Sequence, residues 1–72
     1  MSLGPTITVR INGEDRRVAP DLTVAELARE IGLDPQRVAV ERNLKIVPRG
    51  TLGDVCVEDG DEYEIVHFVG GG

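Results

Sequence analysis

Between Leu22 and Gly32 the chain carries the marks of one amphipathic helix with both ends specified, and that segment constrains the layout of everything else. Thr23 and Glu26 stand at capping-box spacing. The Thr hydroxyl can accept from the Glu26 amide while the Glu26 carboxylate reaches back to the Thr23 amide, so two orphan donors of the first turn find partners. Leu22 and Leu27 occupy the two positions of a hydrophobic staple. Val24, Leu27, Ala28 and Ile31 recur at i, i+3, i+4 and i+7, which is one apolar stripe. Gly32 suits the left-handed position just past the last turn, and Pro35 prevents continuation. A single stripe must be buried against something, and 72 residues leave room for only one core.

Strands supply the other layer. Thr6 to Ile11 alternates polar and apolar residues, with Ile7, Val9 and Ile11 on one face. Asn12-Gly13 then suits the positive φ angles of a tight hairpin, and Glu14 to Ala19 returns as a polar edge strand ending at Pro20. Arg37 to Glu41 reads as a strand with Val38 and Val40 on the same side. Arg42-Asn43-Leu44 turns the chain into Lys45-Ile46-Val47, which Pro48 limits. Thr51 to Val57 reads as a turn or a short 3₁₀ stretch, pinned to the core by Leu52, Val55 or Val57. Glu58 to Asp61 is a turn cluster, and Glu62 to Val69 closes the domain as a strand. Hairpin, helix, short strands and a long last strand predict an α+β domain. The order is that of the ubiquitin-like β-grasp: a mixed sheet of four to five strands, one main helix across one face, and the last strand central beside the first. The domain is expected over residues 6–69. Residues 1–5 are small and unpatterned, a disordered N-terminal segment or an expression remnant, and residues 70–72 form a glycine tail.

Composition excludes several functions. A domain this short buries about 60% of the surface of its unfolded chain, which leaves little interior for a deep catalytic pocket. Thirteen acidic against eight basic residues give a net charge of -5. Such a surface repels nucleic acid and anionic membrane and helps steer the protein to a positively charged partner. Cys56, the sole cysteine, permits neither an intramolecular disulfide nor a Cys-based zinc cluster, as fits a reducing cytoplasm. No apolar run is long enough for a signal peptide or membrane helix.

After the last strand come Gly70, Gly71 and Gly72. Two readings stand for them: a frayed end or cloning scar, or a slim arm that presents the Gly72 carboxylate. A carboxylate is a poor acyl donor until its oxygen has a better leaving group. Attack on the α-phosphate of ATP makes an acyl-adenylate, which a sulfur nucleophile can displace. To reach a nucleotide buried in another protein the arm needs residues without Cβ atoms, which fit a narrow channel. Ordering it costs about 1–2 kcal/mol per residue, so docking of the folded body must supply the binding energy.

The last strand suggests where docking occurs. Tyr63, Ile65 and His67 point one way; Glu62, Glu64, Val66 and Phe68 point the other. With Tyr63 and Ile65 against the helix, Val66 and Phe68 form an apolar pair ringed by acids on the open face, a candidate docking patch. The alternatives are loops that cover this pair, or a reversed register. Four further features carry bland readings. His67 is a surface or packing residue; Cys56 is a small semi-buried residue with sulfur relay as its alternative. Asp59, Asp61, Glu62 and Glu64 form a solvated acidic turn without calcium-loop spacing. Arg42 and Arg49 pair with acids at the surface, each pair contributing little.

The run Gly60-Asp61-Glu62-Tyr63-Glu64-Ile65-Val66-His67-Phe68-Val69-Gly70-Gly71-Gly72 resembles the C-terminal signature of the thiamine-biosynthesis sulfur carrier family, ThiS. Val40-Glu41-Arg42-Asn43 with Ile46-Val47-Pro48-Arg49 resembles its central strand pair, and Asn12-Gly13 with Leu22 to Leu27 its opening hairpin and helix. The resemblance covers nearly the whole chain from Thr6. It implies a non-enzymatic carrier that binds no cofactor or metal of its own. A ThiF-like adenylyltransferase would use ATP-Mg to adenylate Gly72. Sulfur from a cysteine desulfurase would give a Gly72 thiocarboxylate, and thiazole synthase (ThiG) would take that sulfur. The family's terminal glycine pair maps onto Gly71 and Gly72; the block before Thr6 and the third glycine, Gly70, are departures. The same tail would serve a molybdopterin or tRNA-thiolation carrier, a protein modifier ending in an isopeptide bond, or an interaction domain with an inert tail. His67-Phe68-Val69 before the glycines favours thiamine over the more Phe-Pro-rich molybdopterin type.

Overall fold

A computed structural model describes residues 4–69. Five strands form one mixed sheet in the order β2-β1-β5-β3-β4, with one helix across a face. They are β1 (Ile7–Ile11), β2 (Glu14–Val18), β3 (Val38–Arg42), β4 (Lys45–Val47) and β5 (Glu62–His67); the helix, α1, spans Val24–Glu30. β5 lies in the middle, parallel to β1 and antiparallel to β3. This is the predicted β-grasp arrangement, with each boundary within a residue or two of its expectation.

The helix forms for the reasons written in its ends. Glu26 N–H donates to the Thr23 hydroxyl at 3.1 Å and Thr23 N–H to the Glu26 carboxylate at 2.9 Å. At the other end Gly32, at φ +86°, lets its amide reach the Arg29 carbonyl, while Leu33 N–H reaches Ala28. That pair of bonds is a complete Schellman closure. Val24, Leu27 and Ala28 are fully enclosed, and Leu22, Ile31 and Leu33 pack beside them. They meet the inward residues of the sheet: Val9 and Ile11 of β1, Val38 and Val40 of β3, Tyr63 and Ile65 of β5. Alternation along β1, β3 and β5 thus puts one face in the core and leaves the other open.

The segment 48–57 is held as a lid on this core by Leu52 and Val57, both buried. A 3₁₀ turn over Arg49–Thr51 and backbone bonds from Val24 to Val55 and from Ala25 to Leu52 tie it to the start of α1. No helix among the described residues is long and apolar enough to cross a membrane.

Candidate functional site

The amino-terminal end of β5 is clamped by side chains from both neighbouring hairpins. Asn12 and Asn43 each open a tight turn, and both sit at φ +50°. Beyond the end of β1 the Asn12 side chain takes over from the backbone: its amide oxygen accepts from Ile65 N–H at 2.8 Å and its NH₂ donates to the Ile65 carbonyl at 3.1 Å. The Asn12 main-chain N–H donates to Tyr63. Asn43 does the same from the other side, accepting from Glu62 N–H on its side chain at 2.9 Å and donating its own N–H to the Glu62 carbonyl. Short-chain amides tolerate the left-handed region and bond the backbone locally, which suits them to both tasks.

Below this clamp lies Asp61, 6% exposed. One carboxylate oxygen accepts from Arg42 Nε at 2.9 Å, Glu58 N–H at 2.9 Å and the Tyr63 hydroxyl at 2.7 Å; the other accepts from the Asn43 side chain at 3.2 Å. Burial pushes the Asp61 carboxyl up, but the bonds from Glu58, Tyr63, Arg42 and Asn43 outweigh it and hold it below the ordinary value. The Tyr63 hydroxyl is pushed well above its ordinary value by burial and by donation to Asp61. The expected solvated acidic turn is therefore corrected at Asp61, which anchors the core edge. Arg42 is corrected in part with it: its side chain is 23% exposed and bridges the exposed Glu58, as the expected surface pair, to the buried Asp61. Composition assigns acids to the surface on average, and nothing local marked this one.

The carboxyl-terminal end of β5 is paired on one side only, with β3 as far as His67. Tyr63 and Ile65 face the core and Val66 faces away, 58% exposed. Phe68 is 44% exposed; its N–H donates to the Arg37 carbonyl at 2.7 Å and the Arg49 guanidinium lies 5.4 Å from its ring centre. Arg49 therefore stacks on an aromatic ring where a carboxylate partner was expected. Val69 is 87% exposed. Val66 and Phe68 are thus both partly exposed near the end of β5, Val66 on the open face and Phe68 with Arg49 of the 48–57 segment against its ring. Gly70, Gly71 and Gly72 lie outside the described residues. Cys56 is exposed, not semi-buried, while its neighbour Val57 is buried and its backbone bridges to Thr23. His67 is half-buried opposite Val38. Among the described residues no cluster of three or more His, Cys, Asp or Glu is placed to hold a metal ion.

Asn12, Asn43 and Asp61 escaped the sequence reading. The one available signal was asparagine opening both hairpin turns.

Comparison with known proteins places these features in a family context. A family model described as "ThiS family" matches residues 9–72. A thiazole synthase from Paramagnetospirillum magneticum is 53% identical over 62 residues, 86% of this chain but 19% of that protein. The chain spans about a fifth of the length of the thiazole synthase relatives it matches. The sulfur carrier protein ThiS of Bacillus subtilis is 38% identical over 65 residues, covering 89% of this chain and 98% of that one. The crystal structure of a thiamine biosynthesis protein (ThiS) from Geobacter metallireducens superposes with a TM-score of 0.74 at 32% identity, over 92% of this chain and all of that chain.

Proposed function

The chain belongs to the ThiS family, and from that premise we propose that it is a sulfur carrier for thiazole formation in thiamine biosynthesis, a co-substrate of other enzymes and not a catalyst. The observation that carries the reading is the reach of the family match through residue 72, across both the central strand and the glycines. The body beneath suits the task. β5 is fixed at its start by the two asparagines and Asp61, and its last residues emerge on an open face.

The reacting group is the Gly72 carboxylate. Its oxygen attacks the α-phosphate of ATP in a ThiF-like adenylyltransferase that holds ATP-Mg, and pyrophosphate leaves. Persulfide sulfur supplied through a cysteine desulfurase then attacks the adenylated carbonyl, and AMP leaves with the oxygen. A thiol cleaves the resulting acyl disulfide, so that Gly72 ends as a thiocarboxylate and the donor sulfur and that thiol end as a disulfide. Thiazole synthase accepts that sulfur. Gly70 and Gly71 admit Gly72 to a narrow site because they carry no Cβ. Val66 and Phe68 supply apolar contact that offsets the cost of ordering the arm.

The test is intact-mass measurement after incubation with the adenylyltransferase, ATP and a sulfur donor. The expected result is a gain equal to one oxygen-to-sulfur exchange, lost when Gly72 is deleted. An unchanged mass would sink the proposal.

A further inference from the structure

Three unfavourable local choices converge on the open face of the sheet, between β5 and β4. First, Glu41 of β3 and Glu64 of β5 are direct cross-strand partners. Opposed side chains in such a pair have Cβ atoms about 5 Å apart, and like charges there are destabilising. Among the described residues no cation lies within ion-pair distance of either one. Arg10, which lines the same depression as these two glutamates, is engaged by Asp15 at 3.0 Å and Glu62 at 3.9 Å. Secondly, Leu44 holds φ +71° at the tip of the β3–β4 hairpin, a conformation that costs a residue with a Cβ. Its side chain is nevertheless 88% exposed, so no packing compensates for the strain. Thirdly, Ile46, the cross-strand neighbour of Glu41, is 78% exposed.

These residues surround two adjoining depressions. One is lined by Ala39, Ile46 and Val66, the other by Leu44, Glu62 and the Arg10 already held by Asp15 and Glu62, and Glu41 and Glu64 stand in the walls of both. Apolar floor and paired carboxylates together match one kind of group: a long cationic side chain, whose methylenes lie along Ile46 and Val66 while its charge meets the two glutamates. Departures from local rules that nothing inside the molecule repays are expected at functional sites.

We propose that this open face is the docking surface for a partner protein that inserts an arginine or lysine, flanked by aliphatic side chains, between Glu41 and Glu64, with Leu44 as its second apolar anchor. This extends the carrier reading by giving the partner's surface its chemistry, and purified thiazole synthase is the partner used to test it. Glu41→Gln/Glu64→Gln keeps side-chain size and removes both charges; Leu44→Gly removes the anchor and relieves the backbone. Both should raise the melting temperature or leave it unchanged. By calorimetric titration at low salt the double glutamine variant should lose about tenfold or more in affinity, and Leu44→Gly about threefold or more. The deficit of the double variant should shrink as salt rises. Glu14→Gln/Glu30→Gln makes the same change in net charge away from this face and should bind like the wild type. A residue with a merely structural role would lower the melting temperature, which this pattern excludes. Wild-type protein that does not bind thiazole synthase, or both variants binding within about twofold of it, would overturn the proposal. Formation of the thiocarboxylate is read separately by mass, so loss of the docking proposal leaves the carrier reading standing, and the reverse.

Discussion

The two ends of β5 are held in opposite ways. Its start is gripped by the side chains of Asn12 and Asn43 and by the buried Asp61 carboxylate, and none of those bonds depends on apolar contact. Beyond its pairing with β3, which runs to His67, its exit has one further backbone bond, from Phe68 to Arg37, and one ring contact, from Arg49, with Val66, Phe68 and Val69 left exposed. The polar clamp sets the register of the strand, so the exit needs no internal packing to be correctly aimed. Polar anchorage is concentrated at one end and exposed apolar side chains at the other.

The largest blow to this division is Asp61→Ala. It strands Arg42 and the Tyr63 hydroxyl and should cost about 3 kcal/mol, as breaking a buried ion pair does. For a domain of this size that lowers the melting temperature by roughly 15 °C. A loss below about 1 kcal/mol would mean that the start of β5 is not anchored there.

Asn12→Ala comes next, at about 2 kcal/mol by denaturant unfolding, from two lost backbone bonds and a Cβ residue at positive φ without compensation. Asn12→Gly should recover about half, because glycine removes the conformational part alone.

Acid probes the same clamp. The Asp61 carboxyl is held below its ordinary value of 3.8, so its contribution is present above that pH and is lost as pH falls through the lower, folded value. Thermal melts from pH 7 to pH 2 should therefore fall more steeply for the wild type than for Asp61→Asn. Equal slopes would remove Asp61 from the account.

At the exit the order of effects reverses. Phe68→Ala should cost under about 1 kcal/mol of stability, since the ring is only partly covered, yet weaken partner binding about tenfold. Unfolding of this variant would make Phe68 a core residue and erase the contrast between the ends. Arg49→Gln is the smallest change, about 0.5 kcal/mol, the worth of an exposed cation–ring contact.

What the sequence revealed follows the range of the interactions. The helix was legible to its caps because Thr23, Glu26 and Gly32 act on neighbours a few residues away. The Asn12-Gly13 turn was legible for the same reason. The alternation along Glu62–His67 assigned Tyr63 and Ile65 to the core and Val66 to the open face, since a strand has only two sides. The second task of Asn12 was hidden, because its partner Ile65 lies 53 positions away. Asp61 was misread for a related cause: its partners Arg42 and Asn43 arrive from β3 and its turn, and only assembly of the sheet brings them together. Leu44 at positive φ contradicts its own propensity, so no local rule points to it.

That β5 is central, although every other described element precedes it, also governs how the molecule comes into being. β1 cannot complete its inner pairing, nor β3 its longest one, until residues 62–67 arrive. Early hairpins are left with open edges and only marginal stability. Contacts of such long sequence separation slow folding towards the millisecond-to-second range. A chain released before β5 should therefore be unfolded and open to proteolysis, while a folded molecule necessarily contains the strand that leads to its glycines. Conformational inspection by the cell would then remove the pieces that lack it.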